Sequence, residues 1–231
     1  MANFFDFNNN FGPVEEESEL IPLMTSDDEE AILKESLPES VPILPLRNAV
    51  LFPGVVIPIS ATRDKSVKLI KNANSNNKLI GVVSQKDSNV SDPTINDVNK
   101  IGTVAKILRV LQMPDGNLTI IIQGKKRFSI DKLISETPFI TSSINELKEI
   151  SPKKDNKTFQ ATIDSIKDLA LKIIDENPNI PTEASFAIKN IHSNSFLVNF
   201  VSSNMNISVE EKFKILCIDD LQKRALRCLK F

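Results

Sequence analysis

The stretch VPILPLRNAVLFPGVVIPISATRDKS, residues 41–66, sets the character of the chain. Short aliphatic and β-branched runs alternate in it with proline, glycine and asparagine, a pattern typical of short strands joined by tight turns. The step Phe52-Pro53-Gly54 predicts a turn, because proline presets φ and glycine accepts a positive φ. Near its end, Thr62 is the predicted N-cap of a helix and Asp64 lies in the first turn, where the helix dipole favours an acid. These residues therefore predict a β-rich domain with one inserted helix.

The same pattern of short apolar runs separated by turn residues continues to about residue 150. The inserted helix is predicted to turn Val67, Ile70 and Ala73 to one side. The sequence Met113-Pro114-Asp115-Gly116 between two apolar runs predicts a β-hairpin, and Gly124-Lys125-Lys126-Arg127 predicts a basic turn that leads into a strand. The predicted strands form a barrel-like sheet, and they are Ile43–Leu46, Val55–Ser60, Leu79–Gln85, Gly102–Gln112, Leu118–Gln123, Arg127–Ser135 and Ile140–Leu147.

After Ser151 the spacing of apolar residues lengthens to three or four, which predicts helices. Pro178 and Pro181 are predicted to end the first helix, and Ser208 with Glu211 predicts a capping box for the last one, which continues to the end of the chain. The first helix has a predicted apolar face made of Phe159, Ile163, Ile166, Leu169, Ala170 and Ile173. Shorter helices are predicted at 184–191 and 196–202. Because the last helix has no stop signal, we expect the natural polypeptide to continue beyond Phe231.

Charge divides the chain into two parts. Residues 1–40 contain 11 acidic side chains and one basic side chain, Lys34, whereas the remainder carries a basic excess of 8. Residues 1–40 show no sustained period and are predicted to be a disordered acidic leader. Its aromatic side chains are either a short docking motif or stray residues in a solvated tail, and they are Phe4, Phe5, Phe7 and Phe11. The predicted class is α+β, with the leader followed by a β-barrel domain at 41–150 and a helical subdomain at 151–231.

Several kinds of chemistry lack their sequence signals. The six glycines include no phosphate-binding loop, and His192 is the only histidine, which excludes a multi-histidine zinc site. The neighbouring acids Asp219 and Asp220 are predicted to form a solvated helix face, and nothing marks a particular Ser-Lys pair as activated. Cys217 and Cys228 on one helix would lie about 16 Å apart, too far for a disulfide. We therefore predict no catalytic residue, no metal site and no cofactor site in this chain.

Composition also bears on location and on nucleic acids. No apolar run is long enough for a membrane span, and no signal peptide precedes the body, so a cytoplasmic protein is expected. The basic body could contact a nucleic-acid backbone weakly. The chain has no Trp or Tyr, however, and therefore lacks the usual stacking residues for single strands.

Residues 41–66 closely resemble the opening of the N-terminal domain of Lon proteases. The match includes Pro45-Leu46-Arg47-Asn48, Phe52-Pro53-Gly54, Pro58 and Arg63-Asp64-Lys65-Ser66, with Thr62 where the family usually has glycine. It continues through Ile101-Gly102-Thr103-Val104, the Pro-Asp-Gly hairpin, Gly124 with Arg127-Phe128, and the helices at 196–221. Only the acidic leader falls outside the shared pattern.

This resemblance implies a PUA-like β-barrel followed by a helical bundle that ends in a long helix. The full protein would be a cytoplasmic homohexameric AAA+ ATP-dependent serine endopeptidase of protein quality control and stress response, with an ATPase module and a Ser-Lys peptidase. Neither module is present in this chain, so ATP, magnesium and the catalytic residues belong to the missing part. The implied role is to bind unfolded or damaged proteins and to help arrange the hexamer.

An exposed apolar patch would suit such binding, because it can contact many sequences weakly. The candidate substrate-contact residues are Leu46, Phe52, Pro53, Val55 and Pro58. The alternative for each is that it only packs the barrel. Two other functions stay open at this point: a separate Lon-N-like binding module or adaptor with weak nucleic-acid affinity, and, with less support, a self-contained enzyme.

Overall fold

The computed structural model describes residues 31–32, 34–114, 117–153, 155–177, 180 and 183–231. The prediction for the leader, including its four phenylalanines, falls mostly on residues 1–30 and lies outside the described residues. So do the two prolines at 178 and 181 that were predicted to end a helix. The described residues form an α+β fold, with the strands first and most helices after them.

The β-strands are β1 Ser40–Leu46, β2 Val56–Ala61, β3 Leu79–Ser84, β4 Ile101–Gln112, β5 Leu118–Ser135 and β6 Thr141–Glu146. The α-helices are α1 Asp64–Ser75, α2 Lys157–Glu176, α3 Glu183–Asn190, α4 Asn194–Asn204, α5 Val209–Leu216 and α6 Leu221–Cys228. A short 3-10 helix covers Ile95–Asp97. Each predicted strand overlaps an observed one, and the predicted hairpin is confirmed by the antiparallel pairing of β4 with β5, although Asp115 and Gly116 of its turn lie outside the described residues.

Two predicted strands are in fact one. The runs 118–123 and 127–135 belong to the 18-residue strand β5, so the prediction of a basic turn at Gly124–Arg127 is wrong. The backbone of Gly124 stays in the sheet and bonds to a neighbouring loop, because its N–H donates to the Val55 carbonyl at 2.9 Å and its carbonyl accepts from the Gly54 N–H at 2.9 Å. Because glycine has no side chain, it allows another backbone to approach closely at this position.

The strand order is β2-β5-β4-β3-β1-β6, and β5 pairs in addition with β6. Strands β1 and β3 are parallel, and the other pairs are antiparallel. Because β6 pairs with β1 on one side and with β5 on the other, the pairing of five strands returns on itself. Strand β2 lies outside this ring, alongside β5.

Helix α1 packs its buried side chains against the sheet. Leu69, Ile70 and Ala73 join the cluster that contains the inward residues of β4 and β5. Thr62 is not the N-cap, contrary to the prediction, because the helix begins one residue later: Arg63 is the N-cap and its carbonyl accepts from Val67 N–H. The Arg63 guanidinium donates to the Gln85 side chain at 2.6 Å, which fixes this residue at the start of the helix.

Helix α2 has the predicted apolar face for most of its length. Asn156 caps its start by accepting from the Phe159 N–H at 2.9 Å, and Phe159, Ile163 and Ile166 are buried. Leu169 is exposed, contrary to the prediction of an inward side chain, because the buried stripe runs instead through Ala170 and Ile174. Near the end of the helix, the buried face therefore does not include Leu169.

The long last helix is also a wrong prediction. Helix α5 ends at Leu216 and α6 begins at Leu221. Asp220 caps the new helix by accepting from the Lys223 N–H at 2.9 Å, and the Ile150 N–H donates to the Asp219 carbonyl at 3.0 Å. Ser208 caps α5 as predicted. Asp219 and Asp220 were predicted to lie on a solvated helix face, and this is wrong because they lie in the break between the two helices, where Asp220 is a cap.

The described chain divides into two compact units, Ile32–Leu147 and Lys148–Phe231. The domain boundaries predicted from the sequence, 41–150 and 151–231 after a leader of 1–40, stay a prediction. In the described residues, no helix has the length and apolar character that a membrane crossing requires.

Candidate functional site

The turn at Phe52-Pro53-Gly54 is tied to the sheet by backbone contacts. Gly54 has a φ of 80°, which explains the glycine, and its N–H bonds to the Gly124 carbonyl. The Thr103 hydroxyl donates to the Leu51 carbonyl at 2.6 Å. A Cβ on Gly124 would overlap the Phe52 carbonyl oxygen. The loop therefore lies directly on β4 and β5, with no room between them.

This packing decides where the predicted substrate-contact residues lie. Leu46, Phe52 and Val55 are buried, and Phe52 has 0% exposure. They do not form an exposed patch, and the alternative that they pack the core is the correct one for these three. Pro53 and Pro58 are half-buried. The predicted patch is therefore wrong as a surface for Leu46, Phe52 and Val55, whose side chains are buried in the core.

A different apolar surface appears on the outward side of β2, β5 and β4. In a strand, alternate side chains point to the same face, and residues opposite each other in neighbouring strands share a face. The core face contains Ile120 and Ile122 of β5, with Ile57 and Ile59 of β2 beside them. The intervening residues therefore face outward. We define the outer face as Val56, Pro58 and Ser60 of β2, Thr119, Ile121 and Gln123 of β5, and Lys106, Arg109 and Leu111 of β4.

The outer face contains apolar side chains that water reaches. Leu111 is 46% exposed, Leu108 beside it is 41% exposed in the irregular pairing between Ile107 and Arg109, and Pro58 and Ile121 are half-buried. Several apolar side chains together on a solvent-facing surface are typical of an interaction site, whereas single ones are ordinary. Pro58 is the one residue of the predicted patch that lies on this face.

The two charged residues of the outer face itself are both basic. Lys106 and Arg109 are exposed on β4, whereas β2 and β4 contain no acidic residue and the first acid of β5 is Asp131. Arg109 lies opposite Ile121 and between Lys106 and Leu111, so basic and apolar side chains are interspersed on this face. The face is suited to an extended segment that carries both apolar and acidic side chains.

Strand β2 lies at the end of the sheet order and pairs with β5. Proline at position 58 has no N–H and cannot donate to a further strand, which is a common way to protect a sheet edge. A partner would therefore contact this region through side chains on the outer face rather than by adding a strand to β2.

The helical unit contains a buried ion pair that the sequence did not reveal. Arg224 in α6 has 0% exposure, and its Nη1 donates to Glu149 Oε2 at 2.8 Å and to Asn199 Oδ1 at 3.1 Å. Its Nε and Nη2 donate to the Ile218 carbonyl at 3.0 and 2.6 Å. The Ser195 hydroxyl completes the set by donating to Glu149 at 3.0 Å. These partners make Arg224 a structural tie between α4, α6 and the residues before α2.

The same unit has an apolar groove of about 240 Å³, lined by Ile166, Leu169, Ala170, Ile173, Val201, Met205, Cys228, Leu229 and Phe231. Burial raises the pKa of the Cys228 thiol to about 11, so it is a neutral thiol at neutral pH rather than a nucleophile. Its Sγ lies 3.5 Å from Met205 Sδ. Cys217 and Cys228 form no disulfide with each other, and they lie on either side of the helix break rather than on one helix.

The other candidate groups have structural partners. Asp220 is a helix cap, and Glu211 contacts Lys214 and Arg227, whose hydrogen bonds hold the pKa of the Glu211 carboxyl below its ordinary value. His192 is exposed after α3. In the part of the chain that the structure describes, no group of three or more His, Cys, Asp or Glu could hold a metal ion.

Comparison with known families now adds to this geometry. A match to the family described as "ATP-dependent protease La (LON) substrate-binding domain" spans residues 40–231. The chain belongs to the Lon substrate-binding domain family. The resemblance of residues 41–66 is thereby confirmed, and so is its extension into the helical unit.

Curated relatives agree with this assignment. The Lon protease of Flavobacterium johnsoniae is 61% identical over 215 residues, which are 93% of this chain and 26% of that protein. The Lon protease of Cytophaga hutchinsonii is 46% identical over 207 residues, which are 90% of this chain and 26% of that protein. This chain therefore spans about a quarter of the length of these relatives.

Solved structures show the same fold. The N-terminal domain of the Mycobacterium avium complex Lon protease has a TM-score of 0.67 at 20% identity, with 83% of this chain and 96% of that one covered. The Lon N-terminal domain protein from Xanthomonas campestris has a TM-score of 0.60 at 15% identity, with 83% and 98% covered. These structures show that the chain has the fold of Lon N-terminal domains.

Proposed function

We propose that this Lon region binds unfolded or damaged protein substrates through the outer face of β2, β5 and β4. The observation that carries this proposal is the exposure of Leu111 and Leu108 beside the half-buried Pro58 and Ile121. Such a surface can accept many sequences, because apolar contact has no directional requirement. The buried Phe52 turn supports the sheet behind it and does not touch the substrate.

The rest of the proposal extends to the whole protein. The ring of paired strands is a PUA-like barrel with α1 inserted, and the helical unit leads to an AAA+ ATPase and a Ser-Lys serine peptidase that are absent from this chain. These modules bind ATP and magnesium, whereas this region binds no cofactor. The whole protein is a cytoplasmic homohexamer of protein quality control. Six outer faces in one ring would turn weak contacts into effective capture, because linked sites raise the local concentration.

A titration of a fluorescently labelled, permanently unfolded protein tests the proposed contact. The Leu111→Ser variant should bind about fivefold more weakly, which corresponds to the loss of about 1 kcal/mol from one partly exposed leucine. Leu133→Ser is the matched control, because Leu133 is 44% exposed on β5, twelve residues and thus on the order of 40 Å along the strand from Ile121.

Equal weakening by both variants would contradict the assignment of the outer face. No binding by the original chain, even at high concentration, would mean that this region does not capture substrates by itself. The titration is run at low and at high salt, and an apolar contact should persist in high salt.

The two basic side chains of the outer face support a second candidate, a binding module with weak nucleic-acid affinity. Lys106 and Arg109 would then contact phosphates, and affinity for single-stranded DNA would fall steeply with salt. A double variant, Lys106→Gln with Arg109→Gln, should remove this affinity and leave most of the binding to unfolded protein. Unchanged DNA binding by the double variant would exclude the outer face as the nucleic-acid site.

A further inference from the structure

We infer that the start of α1 is an anion-binding site whose ligand is a carboxylate attached to a small apolar group. Such a group occurs at the C-terminus of a polypeptide and in free short-chain acids. The inference goes beyond the proposed function, because the site uses no residue of the outer face. It follows from three features: a small cavity with a mixed lining, a buried hydroxyl group on that lining, and a helix start whose cap residue is an arginine.

A small cavity lies beside the first turns of α1, within the β-strand unit. Its volume is about 20 Å³, enough for one water-sized or methyl-sized group. Buried apolar side chains form one part of its lining, and polar side chains form the other. The apolar part includes Ile43, Leu69 and Ile140, and the polar part is Arg63, Lys65, Ser66 and Asp92. A fitting ligand therefore combines a small apolar group with a polar one.

Ser66 is the residue of this lining that points most directly to a ligand. It is only 7% exposed and lines the cavity, yet within the described part of the chain its hydroxyl has no hydrogen-bond partner. Buried hydroxyls are nearly always bonded, and in a helix they often donate to the carbonyl four residues earlier. Ser75 at the other end of α1 does so, to the Lys71 carbonyl at 3.1 Å. The Ser66 hydroxyl is thus available to donate to a bound group.

The charge at the start of α1 favours an anion. The first N–H groups of a helix have no partner within it, and the cap residue Arg63 makes no side-chain bond to them. Its guanidinium donates instead to the Gln85 side chain. Burial and repulsion by Arg47 lower the pKa of Arg63, so a second guanidinium lies close by. A bound anion would accept from the helix start and would reduce the repulsion between the two arginines.

The acids near the cavity favour a carboxylate over a phosphate. Asp92 lines the cavity and accepts from Lys65 Nζ at 2.7 Å, and Asp64 lies in the first turn of α1. Each acid would repel a phosphate dianion about twice as strongly as a carboxylate, since the Coulomb energy is proportional to charge. Lys65 has three donors and can contact a second carboxylate while it keeps Asp92. The apolar lining then accepts the methyl or ethyl group next to the bound carboxylate.

Titrations followed by nuclear magnetic resonance of the ¹⁵N-labelled chain test this site. At constant ionic strength, sodium propionate should shift the amide signals of residues 64–66 until they saturate, with half-saturation on the order of 10 mM. Propionamide has a similar shape without the charge and should not shift them. Ser66→Ala should weaken propionate binding about fivefold, because one hydrogen bond to a charged group is lost. Ser75→Ala is the matched control on the same helix and should leave the affinity unchanged.

A second variant tests the charge without touching the core. Arg47 is exposed, so Arg47→Gln should leave the fold intact and weaken propionate binding about twofold, as the loss of one exposed charge near the site. A peptide that ends in alanine, with its C-terminus either free or amidated, then distinguishes the two sources of the carboxylate. Tighter binding of the free form than of propionate assigns the site to the end of a polypeptide. Binding of propionate alone assigns it to free short-chain acids.

Four results would overturn the inference: no saturable shift with propionate, equal shifts with propionamide, tighter binding of phosphate than of propionate, or equal affinities of the original chain and the Ser66→Ala and Arg47→Gln variants. The Leu111→Ser variant, which tests the proposed function, should bind propionate as the original chain does. Each proposal can therefore fail without the other.

Discussion

The turn at Phe52-Pro53-Gly54 and the outer face around Leu111 belong to the same β-strand unit, yet they use apolar side chains in opposite ways. Phe52 has 0% exposure beneath a loop whose backbone is bonded to Gly124. Leu111 is 46% exposed because its side chain lies on the outer face of the sheet. Both segments look equally apolar in the sequence. The difference shows that an apolar turn motif indicates what a loop packs on, and that a binding surface depends on which strand face is left uncovered.

The largest effect on stability should come from truncating the buried side chain of Phe52. Phe52→Ala should lower the free energy of unfolding by about 3–5 kcal/mol, because it removes a fully buried aromatic side chain and leaves a cavity. Urea denaturation followed by circular dichroism measures the change. Pro53→Ala is the neighbouring control with a half-buried side chain, and a comparable loss in both variants would contradict the contrast between the two positions.

Truncation of the buried Arg224 in the helical unit should destabilise the protein about as much as truncation of Phe52. Arg224→Ala removes one partner of the Glu149 pair and is expected to cost about 3–5 kcal/mol, because it leaves a carboxylate and two carbonyl or amide acceptors without their donor. The readout is the midpoint of denaturation. Lys214→Ala removes exposed pairs with Glu210 and Glu211 and should change the midpoint only slightly, because exposed ion pairs contribute little. A small effect at Arg224 would show that water replaces its contacts.

Gly124→Ala tests the close approach of the turn to β5. The added Cβ would overlap the backbone oxygen of Phe52, so either the loop or the strand must move, at a cost of about 2–3 kcal/mol. Gln123→Ala, one residue earlier on the outer face, should change stability by less than about 0.5 kcal/mol. Thermal unfolding of the two variants compares them, and equal melting temperatures would mean that the loop does not lie tightly on the strand.

A smaller effect should follow from the loss of one hydrogen bond. Thr103→Val removes the donor to the Leu51 carbonyl in a fully buried position and should cost about 1–2 kcal/mol. Thr119→Val makes the same change on the outer face, where water can solvate what the hydroxyl leaves behind. Stability measured in guanidinium chloride should therefore separate the two threonines; an equal loss would place Thr119 in a buried contact.

The smallest effect on stability should be that of Leu111→Ser. Because the side chain is already in contact with water, we expect a change within about 0.5 kcal/mol, together with the loss of affinity described above. The same denaturation curves that report the Phe52→Ala loss provide this value. A large destabilisation by Leu111→Ser would mean that the outer face is covered, and it would remove the basis of the proposed contact.

Local sequence signals predicted the strands and helices well, but they predicted poorly which distant segments contact them. Strand positions and the hairpin were predicted because alternation and the Pro-Asp-Gly signal act over a few residues. The continuity of β5 through Gly124 was missed, since glycine before three basic residues resembles a turn, and only its contact with the loop at Gly54 explains it. The N-cap at Arg63 was missed by one residue, because its side chain makes no capping bond and bonds instead to the distant Gln85.

The candidate site was predicted in part. Pro58 was selected and lies on the outer face, whereas Leu46, Phe52 and Val55 were selected and are buried. Leu111 and Leu108 were not selected, although their strand was predicted. A signal was available: β4 continues apolar past Ile107 without alternating strictly, and no acid interrupts it. Arg224 gave only the weak signal of a basic residue at the spacing of Leu221, Ala225 and Cys228.

The sequence by itself determined the α+β class, the order and approximate bounds of the elements, the acidic leader, and membership of the Lon family, because these depend on local backbone preferences, composition and a long motif. Only the tertiary structure decided which apolar residues are buried, where β5 and the last helices continue or break, and which partners surround Arg224. Burial and hydrogen-bond partners are set by segments distant in the chain, and a local pattern contains no information on which segment will cover it.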